Sequence, residues 1–311
     1  MAEMNLSYIN DLAKRAPQEL VRAAEERYHA LVGGLAERVK KNGKIRIILL
    51  AGPSGSGKTT TANLLCDSLI ALGEECVVVS LDDFYRNATD SEYPRLDNGE
   101  RDFEAVDALD LSTLSTTLGN IAAGREFLLP RYDFKVGARS AMREHPAMPH
   151  GCVIIEGIHA LNPRVFESLP AERTLKLFIS VSTNVNMGGV RIISGRKVRF
   201  LRRMIRDSIY RNASAERTLE LWENVLAGED KYLYPHRHNA DVSFDTFHDF
   251  ELPVMRSFAE RLISEELPEK NGYARAVLDA VRQVEPLDES LVPDGSLIRE
   301  FIPGGKYEAL Y

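Results

Sequence analysis

The octapeptide Gly52-Pro53-Ser54-Gly55-Ser56-Gly57-Lys58-Thr59 has the spacing G-x-x-x-x-G-K-[ST] of a phosphate-binding P-loop. An apolar run at residues 45–50 precedes it, and a helical pattern at residues 60–72 follows it. The glycines let backbone N–H groups face phosphates, and the start of the helix adds its positive end. This context predicts a nucleoside triphosphate site rather than a chance glycine-serine turn.

The P-loop also predicts individual contacts. Lys58 is expected to reach the β- and γ-phosphates, and the Thr59 hydroxyl is expected to bind magnesium. We expect ATP to be bound by Gly52, Pro53, Ser54, Gly55, Ser56, Gly57, Lys58, Thr59 and Thr60.

Further apolar runs predict a parallel α/β sheet. They occupy residues 76–81, 152–156 and 174–181, and strands buried on both faces read as such nearly continuous runs. The polar stretch 87–150 is expected to hold a helix near residues 109–123 and a short strand at 126–129. We predict a three-layer P-loop NTPase fold, in which helices flank a parallel sheet and a small lid or hairpin is inserted.

Helical spacing of apolar residues marks the rest of the chain. Helices are predicted at residues 17–42, 198–211, 214–227, 251–266 and 271–284, with Ser214 as a helix cap. The first is either packed on the domain or free to dock a partner. The simplest organisation is a kinase domain at 44–248, between a helical extension at 1–43 and another at 249–311.

Composition narrows the class of protein. The chain has 311 residues, 44% of them apolar, and a net charge of −7, which argues against a chain-wide surface for nucleic acid. It shows no secretory signal pattern and no apolar run of the ~18–20 residues that span a bilayer. Three cysteines without a framework spacing predict reduced thiols and a cytoplasmic location.

Two acidic residues stand at the carboxyl ends of predicted strands, where open α/β sheets bind ligands. Asp82 is a candidate base for a substrate hydroxyl, or alternatively the cap of a turn. Glu156 is a candidate magnesium ligand, or alternatively a structural hydrogen-bond acceptor. The expected magnesium set is Thr59, Asp82 and Glu156.

The helix at residues 198–211 carries a basic face. Its arginines are Arg199, Arg202, Arg203 and Arg206. Placed over phosphates, such a face would neutralise charge on the transferred group. Alternatively it is solvated, or it binds nucleic-acid phosphates, and the acidic net charge argues against the last of these.

Taken together, these segments resemble the uridine kinase/phosphoribulokinase family, and most closely its bacterial uridine kinase-like nucleoside kinases. The likeness extends over roughly residues 44–247. Its motifs follow in the family's order: the P-loop at 52–59, SLDDFY at 80–85, DFEAVDALD at 102–110, PRYDF at 130–134, EGI at 156–158, the arginines of 202–211 and ADV at 240–242.

The resemblance implies an ATP- and magnesium-dependent kinase and assigns roles to residues. Its catalytic set is Lys58, Asp82, Arg203 and Arg206. Its acceptor-binding set is Asp82, Tyr85, Glu104, Tyr132, Arg203, Arg206 and Arg211. It implies a small-molecule acceptor and a homo-oligomeric assembly, while the acidic net charge and the lack of a spanning apolar run predict neither nucleic acid nor a membrane as partner.

Three positions depart from the family's pattern. Glu104 replaces an aspartate that holds the ribose hydroxyls, Gly137 replaces a histidine that reads the pyrimidine edge, and Lys197 replaces an aspartate. A uridine- or cytidine-like nucleoside is the leading acceptor, and another sugar, sugar phosphate or polyol is the alternative. A regulatory NTPase is the remaining hypothesis, although it would leave Asp82 without a purpose.

Overall fold

The computed structural model describes residues 2–96, 99–133, 136–264 and 266–310. The strands are β1 (Glu3–Asn5), β2 (Ile47–Ala51), β3 (Cys76–Ser80), β4 (Phe127–Asp133), β5 (Ala138–His145), β6 (Cys152–Glu156), β7 (Thr174–Ser180), β8 (Asn184–Met187), β9 (Val190–Ile193) and β10 (Val242–Asp245). The helices are α1 (Leu6–Arg15), α2 (Pro17–Asn42), α3 (Lys58–Ala71), α4 (Leu111–Ala122), α5 (Pro163–Phe166), α6 (Gly195–Arg211), α7 (Ala215–Gly228), α8 (Glu251–Leu262), α9 (Leu267–Lys270) and α10 (Gly272–Arg282).

The central sheet has five parallel strands in the order β10-β7-β2-β6-β3. Every residue of β2 and β6 is buried, as expected for strands covered on both faces. The register places Ser80 and Leu50 on either side of Glu156. The predicted parallel sheet flanked by helices is therefore confirmed, and its carboxyl edge brings separate motifs together.

Alternate residues of β2 face two separate cores, because successive strand side chains point to opposite faces. Ile48 and Leu50 lie in a core shared with α1, α2, α3, α6, α8 and α10. Ile47 and Leu49 lie in a second core with α4 and the start of β4. The molecule therefore has three layers: helices, sheet and helices.

The terminal segments are built into the first core. Residues of α1 and α2, and the C-terminal residues Leu297 to Ile302, belong to the same apolar cluster as the sheet. Helix α2 has the predicted bounds and ends at Gly43, whose φ of +65° suits a left-handed cap. Packing on the domain, rather than a free docking surface, accounts for this helix. Helix α1 was not predicted.

Two small sheets complete the fold. Strands β4 and β5 form an antiparallel hairpin that matches the predicted insertion, although only part of β4 was located in the sequence, and β1-β8-β9 form a second sheet. Most side chains of β5 are exposed on both faces. The sequence therefore lacks the alternation of apolar and polar residues that would predict this strand. Among the described helices, none is both long enough and apolar enough to cross a membrane.

Candidate active site

The P-loop connects β2 to α3, and two of its glycines have left-handed backbones. Gly55 has φ of +72° and Gly57 has φ of +88°. A Cβ atom would lie 2.7 Å from the Arg199 carbonyl oxygen at position 55, and 2.7 Å from Leu297 Cδ1 at position 57. Both the backbone conformation and the close neighbours therefore require glycine.

The start of α3 offers backbone donors. Thr61 is the first residue of the helix whose N–H bonds back along the chain, to the Gly57 carbonyl at 2.9 Å. The N–H groups of Lys58, Thr59 and Thr60 precede it in the first turn and have no partner within the helix. The Ser56 hydroxyl, fully buried in the loop, has no partner among the described residues. These groups fit a phosphate chain.

Two buried arginines of α6 donate to backbone carbonyls of the P-loop. Arg199 donates to the Ser54 carbonyl at 2.8 Å and pairs with Glu229 at 2.7 Å. Glu229 in turn accepts from the Ser54 N–H at 2.8 Å. Arg202 donates to the Gly55 carbonyl at 3.2 Å and pairs with Glu251 at 2.6 Å.

The sequence-based interpretations of the arginine face are wrong for these two residues. Arg199 is 1% exposed and Arg202 is not exposed at all. They are neither solvated nor open to phosphates, because each lies inside the core against its own carboxylate. Their contacts fix the shape of the loop.

The other arginines of α6 surround Asp207. Arg203, Arg206 and Arg211 lie 3.2, 2.7 and 3.5 Å from its carboxylate. Burial opposes ionisation of Asp207, yet the three arginines hold the pKa of this carboxyl below its ordinary value. Arg203 also donates to the Ser54 hydroxyl at 2.8 Å, which places it on the P-loop.

The two candidate carboxylates meet at the carboxyl edge of the sheet. Ser80 donates to Glu156 at 2.7 Å and also caps the turn in which Asp82 lies. Glu156 is buried, and this burial, with repulsion from Asp82, raises its pKa to about 7. Asp82 is exposed to solvent.

Positive charge converges on Asp82. The protein packed around its carboxyl restricts hydration and raises its pKa, and Lys58, Arg211 and Arg206 act against this rise. The P-loop lysine and the arginines of α6 are thus close enough to act on one carboxylate. A solvent-accessible carboxylate next to a phosphate-binding loop is a candidate for the base that phosphoryl transfer to a hydroxyl uses.

Two tyrosines and a glutamate are the remaining candidates for contacts with an acceptor. The rings of Tyr85 and Tyr132 lie 5.7 Å apart, and the Tyr85 hydroxyl donates to the Phe103 carbonyl at 3.0 Å. Glu104 packs on Gly228, where a Cβ would lie 2.5 Å from the Glu104 Cβ. Burial raises the pKa of Glu104 to about 7, although Arg203 opposes the rise. Phe134, the last residue of the PRYDF motif, lies outside the described residues.

The structure also identifies residues that sequence reasoning missed. Glu229 and Glu251 are the partners of the buried arginines, and they lie 30 and 49 residues further along the chain. No local pattern connects them to α6. The pairing of Asp207 could have been predicted from the sequence, because this residue stands four residues after Arg203 and four before Arg211.

The candidate oxygen ligands fit a magnesium ion that is bound together with substrate phosphates. Within the described ranges, no group of three or more histidine, cysteine or acidic side chains is arranged to hold a metal. Mg²⁺ commonly uses one or two carboxylates together with substrate phosphates. Asp82 and Glu156, with the Thr59 hydroxyl, match that requirement.

The comparisons with known proteins all point to one family. Residues 47–252 match the profile of the Phosphoribulokinase / Uridine kinase family. A uridine kinase of Borrelia hermsii is 29% identical over 70% of this chain and 96% of its own length. A uridine kinase of Schizosaccharomyces pombe is 30% identical over 59% of this chain, but this covers only 36% of that longer protein.

One solved structure that matches this chain is described as a possible uridine kinase from Bacillus stearothermophilus. It is 18% identical, with a TM-score of 0.48, over 69% of this chain and 97% of its own.

Proposed function

The chain belongs to the phosphoribulokinase/uridine kinase family of phosphotransferases, and from this premise we propose that it transfers the γ-phosphate of ATP to a hydroxyl group of a nucleoside resembling uridine or cytidine. One observation carries the proposal. The Ser80 hydroxyl caps the turn of Asp82 and donates to Glu156 at 2.7 Å, and positive charge from Lys58, Arg206 and Arg211 favours the ionised form of the Asp82 carboxyl, which supports a base beside the phosphate-binding loop.

In this proposal Asp82 is the general base. Its carboxylate accepts the proton of the acceptor hydroxyl, and the oxygen attacks the γ-phosphorus in line. The bond from this phosphorus to the bridging oxygen breaks, and ADP leaves with that oxygen. Thr59, Asp82 and Glu156 would hold magnesium, which would supply neutralising charge on the phosphate oxygens.

The arginines and the P-loop stabilise the transition state. Lys58 and the N–H groups of the first turn of α3 fix the phosphate chain. Arg203 and Arg206 neutralise charge that spreads over the equatorial oxygens, where preorganised donors have their largest effect. In this proposal Tyr85, Tyr132, Glu104 and Arg211 contact the acceptor.

A second acceptor class, a sugar, sugar phosphate or polyol, is favoured by the geometry of Gly137. This glycine has φ of +70°, and a Cβ there would lie 3.0 Å from the Ala88 Cβ. A histidine at this position, as the resemblance to uridine kinases would require, would be strained. The acceptor side therefore lacks that pyrimidine-reading contact.

An acceptor panel tests the proposal. ADP release is measured with Mg-ATP and nucleosides, sugars, sugar phosphates or polyols, in the wild type, in Asp82→Asn and in the exposed control Asp279→Asn. We expect one acceptor class to stimulate release, and Asp82→Asn to lower kcat about 10²- to 10⁴-fold while the control stays unchanged. Hydrolysis indifferent to every acceptor and to Asp82→Asn would indicate a regulatory NTPase instead.

A further inference from the structure

The C-terminal extension lies directly on the P-loop. Leu297, which is fully buried, packs against Gly57. The Ser296 hydroxyl donates to Glu25 of α2, and the Phe301 ring lies 5.0 Å from the guanidinium of Arg202. Residues 296–301 therefore make several contacts around the phosphate-binding loop. We call these residues the C-terminal strap.

The strap brings a carboxylate to a phosphate-binding donor. Glu300 Oε2 accepts from the Thr60 N–H at 3.1 Å, and Glu300 is only 4% exposed. Among the residues that the structure describes, Glu300 forms no ion pair. Its carboxyl group therefore lies at the N-terminus of α3 and already accepts from one of the first-turn donors.

We propose that Glu300 competes with the phosphates of the donor for the Thr60 N–H and so sets the affinity of the site for nucleotide. This inference rests on the proposed function. First-turn N–H groups after a P-loop are the ones that cradle the α- and β-phosphates. A carboxylate already bonded to one of them excludes a phosphate oxygen and repels its charge.

Binding of nucleotide also affects the C-terminal strap. Nucleotide can use the Thr60 N–H only after Glu300 withdraws, and Glu300 is held by the contacts of Ser296, Leu297 and Phe301. Binding of nucleotide is thus coupled to release of the strap. Because only molecules with a released strap offer the Thr60 N–H, the apparent affinity for nucleotide is reduced in proportion to their fraction.

Calorimetric titration of the full chain with Mg-ADP tests the proposal. Glu300→Gln keeps an oxygen that can accept from the Thr60 N–H but removes the charge, so we expect the Kd to fall about tenfold. Glu289→Gln, an exposed position on the same extension, is the matched control and should bind like the wild type. An unchanged or higher Kd in Glu300→Gln overturns the proposal.

Hydrogen exchange of the wild type gives a readout independent of the variant's folding. The Ile298 and Phe301 N–H groups are bonded within the strap, at 3.1 and 2.9 Å. Saturating Mg-ADP should speed their exchange, and unchanged exchange in a nucleotide-bound protein refutes the coupling. If Mg-ADP binds and an acceptor is phosphorylated but neither effect appears, this inference alone fails. If neither Mg-ADP nor Mg-ATP binds any variant, the proposed function fails with it.

Discussion

Two sets of arginines on α6 have opposite environments. Arg199 and Arg202 are buried, and each has a carboxylate of its own, Glu229 or Glu251. Arg203, Arg206 and Arg211 share the single carboxylate of Asp207. The first set is electrically balanced within the protein, whereas the second set carries more positive charge than its partner neutralises.

This difference separates two tasks within one helix. A balanced buried pair holds backbone carbonyls of the P-loop in place, and it has no charge left for a ligand. The shared set leaves positive charge near Asp82, where a phosphoryl group would bring negative charge. Repulsion from Arg206 lowers the pKa of Arg211 to about 10, as expected where positive charge is in excess.

The largest effect should follow from removing one of the shared arginines. With the acceptor identified by the panel, Arg203→Met should lower kcat about 10³-fold, because arginines that neutralise a transferred phosphoryl group contribute effects of that order. Its free energy of unfolding should fall by less than the about 3–5 kcal/mol lost when a buried carboxylate loses its only cation, since Asp207 keeps Arg206 and Arg211 as partners. Steady-state kinetics and urea denaturation measure the two effects. A variant that keeps its kcat would remove Arg203 from the catalytic set.

The buried set should show the reverse, a loss of stability. Arg202→Met should lower the free energy of unfolding by about 3–5 kcal/mol, because Glu251 then stays buried without its cation. The double variant Arg202→Met/Glu251→Gln should recover part of that loss, since its glutamine still accepts from the His248 N–H as Glu251 does. Urea denaturation at pH 7 compares them. A single variant within 1 kcal/mol of the wild type would show that the pair is not structurally important.

Glu104 extends the comparison to a half-buried carboxylate without an ion pair among the described residues. Its pKa is about 7 in the folded protein, against an ordinary 4.5. Folding therefore retains a proton that the unfolded chain loses, and stability falls as the pH rises through this window. At pH 8 the cost is about 3 kcal/mol.

Glu104→Gln should therefore stabilise the protein at pH 8 by up to about 3 kcal/mol, with the difference vanishing at pH 4.5. Urea denaturation across this range measures it, with the exposed Glu126→Gln as the control. A constant difference between the two proteins at every pH would assign the effect to packing on Gly228 rather than to charge.

The sequence predicted the sheet and the P-loop because both are local patterns. Strands β2 and β6 are covered on both faces and read as continuous apolar runs, whereas β5 is mostly exposed and has no such pattern. The P-loop is an uninterrupted octapeptide, and Asp82 and Glu156 follow directly from the ends of strands. Each of these features is determined within about ten residues.

The division among the arginines was not predictable, for a physical reason. Positions 199, 202, 203 and 206 recur at three- and four-residue spacing, which places them on one face of a helix. Their burial is decided by what packs against that face, namely Glu229 at the end of α7 and Glu251 at the start of α8. Glu300 reaches the P-loop from 240 residues away. Such contacts exist only after the chain has folded.

The smallest effect should come from an exposed pair on the same helix. Arg196 and Asp230 lie 2.6 Å apart, the same separation as Arg202 and Glu251, but their side chains are 49% and 54% exposed. Solvent screening should limit their coupling to about 0.5 kcal/mol. A double-mutant cycle with Arg196→Ala and Asp230→Ala measures it, and 1 M salt should remove most of what remains. A coupling above about 2 kcal/mol, in the range of a buried pair, would show that pair geometry rather than burial determines the contribution of an arginine on α6.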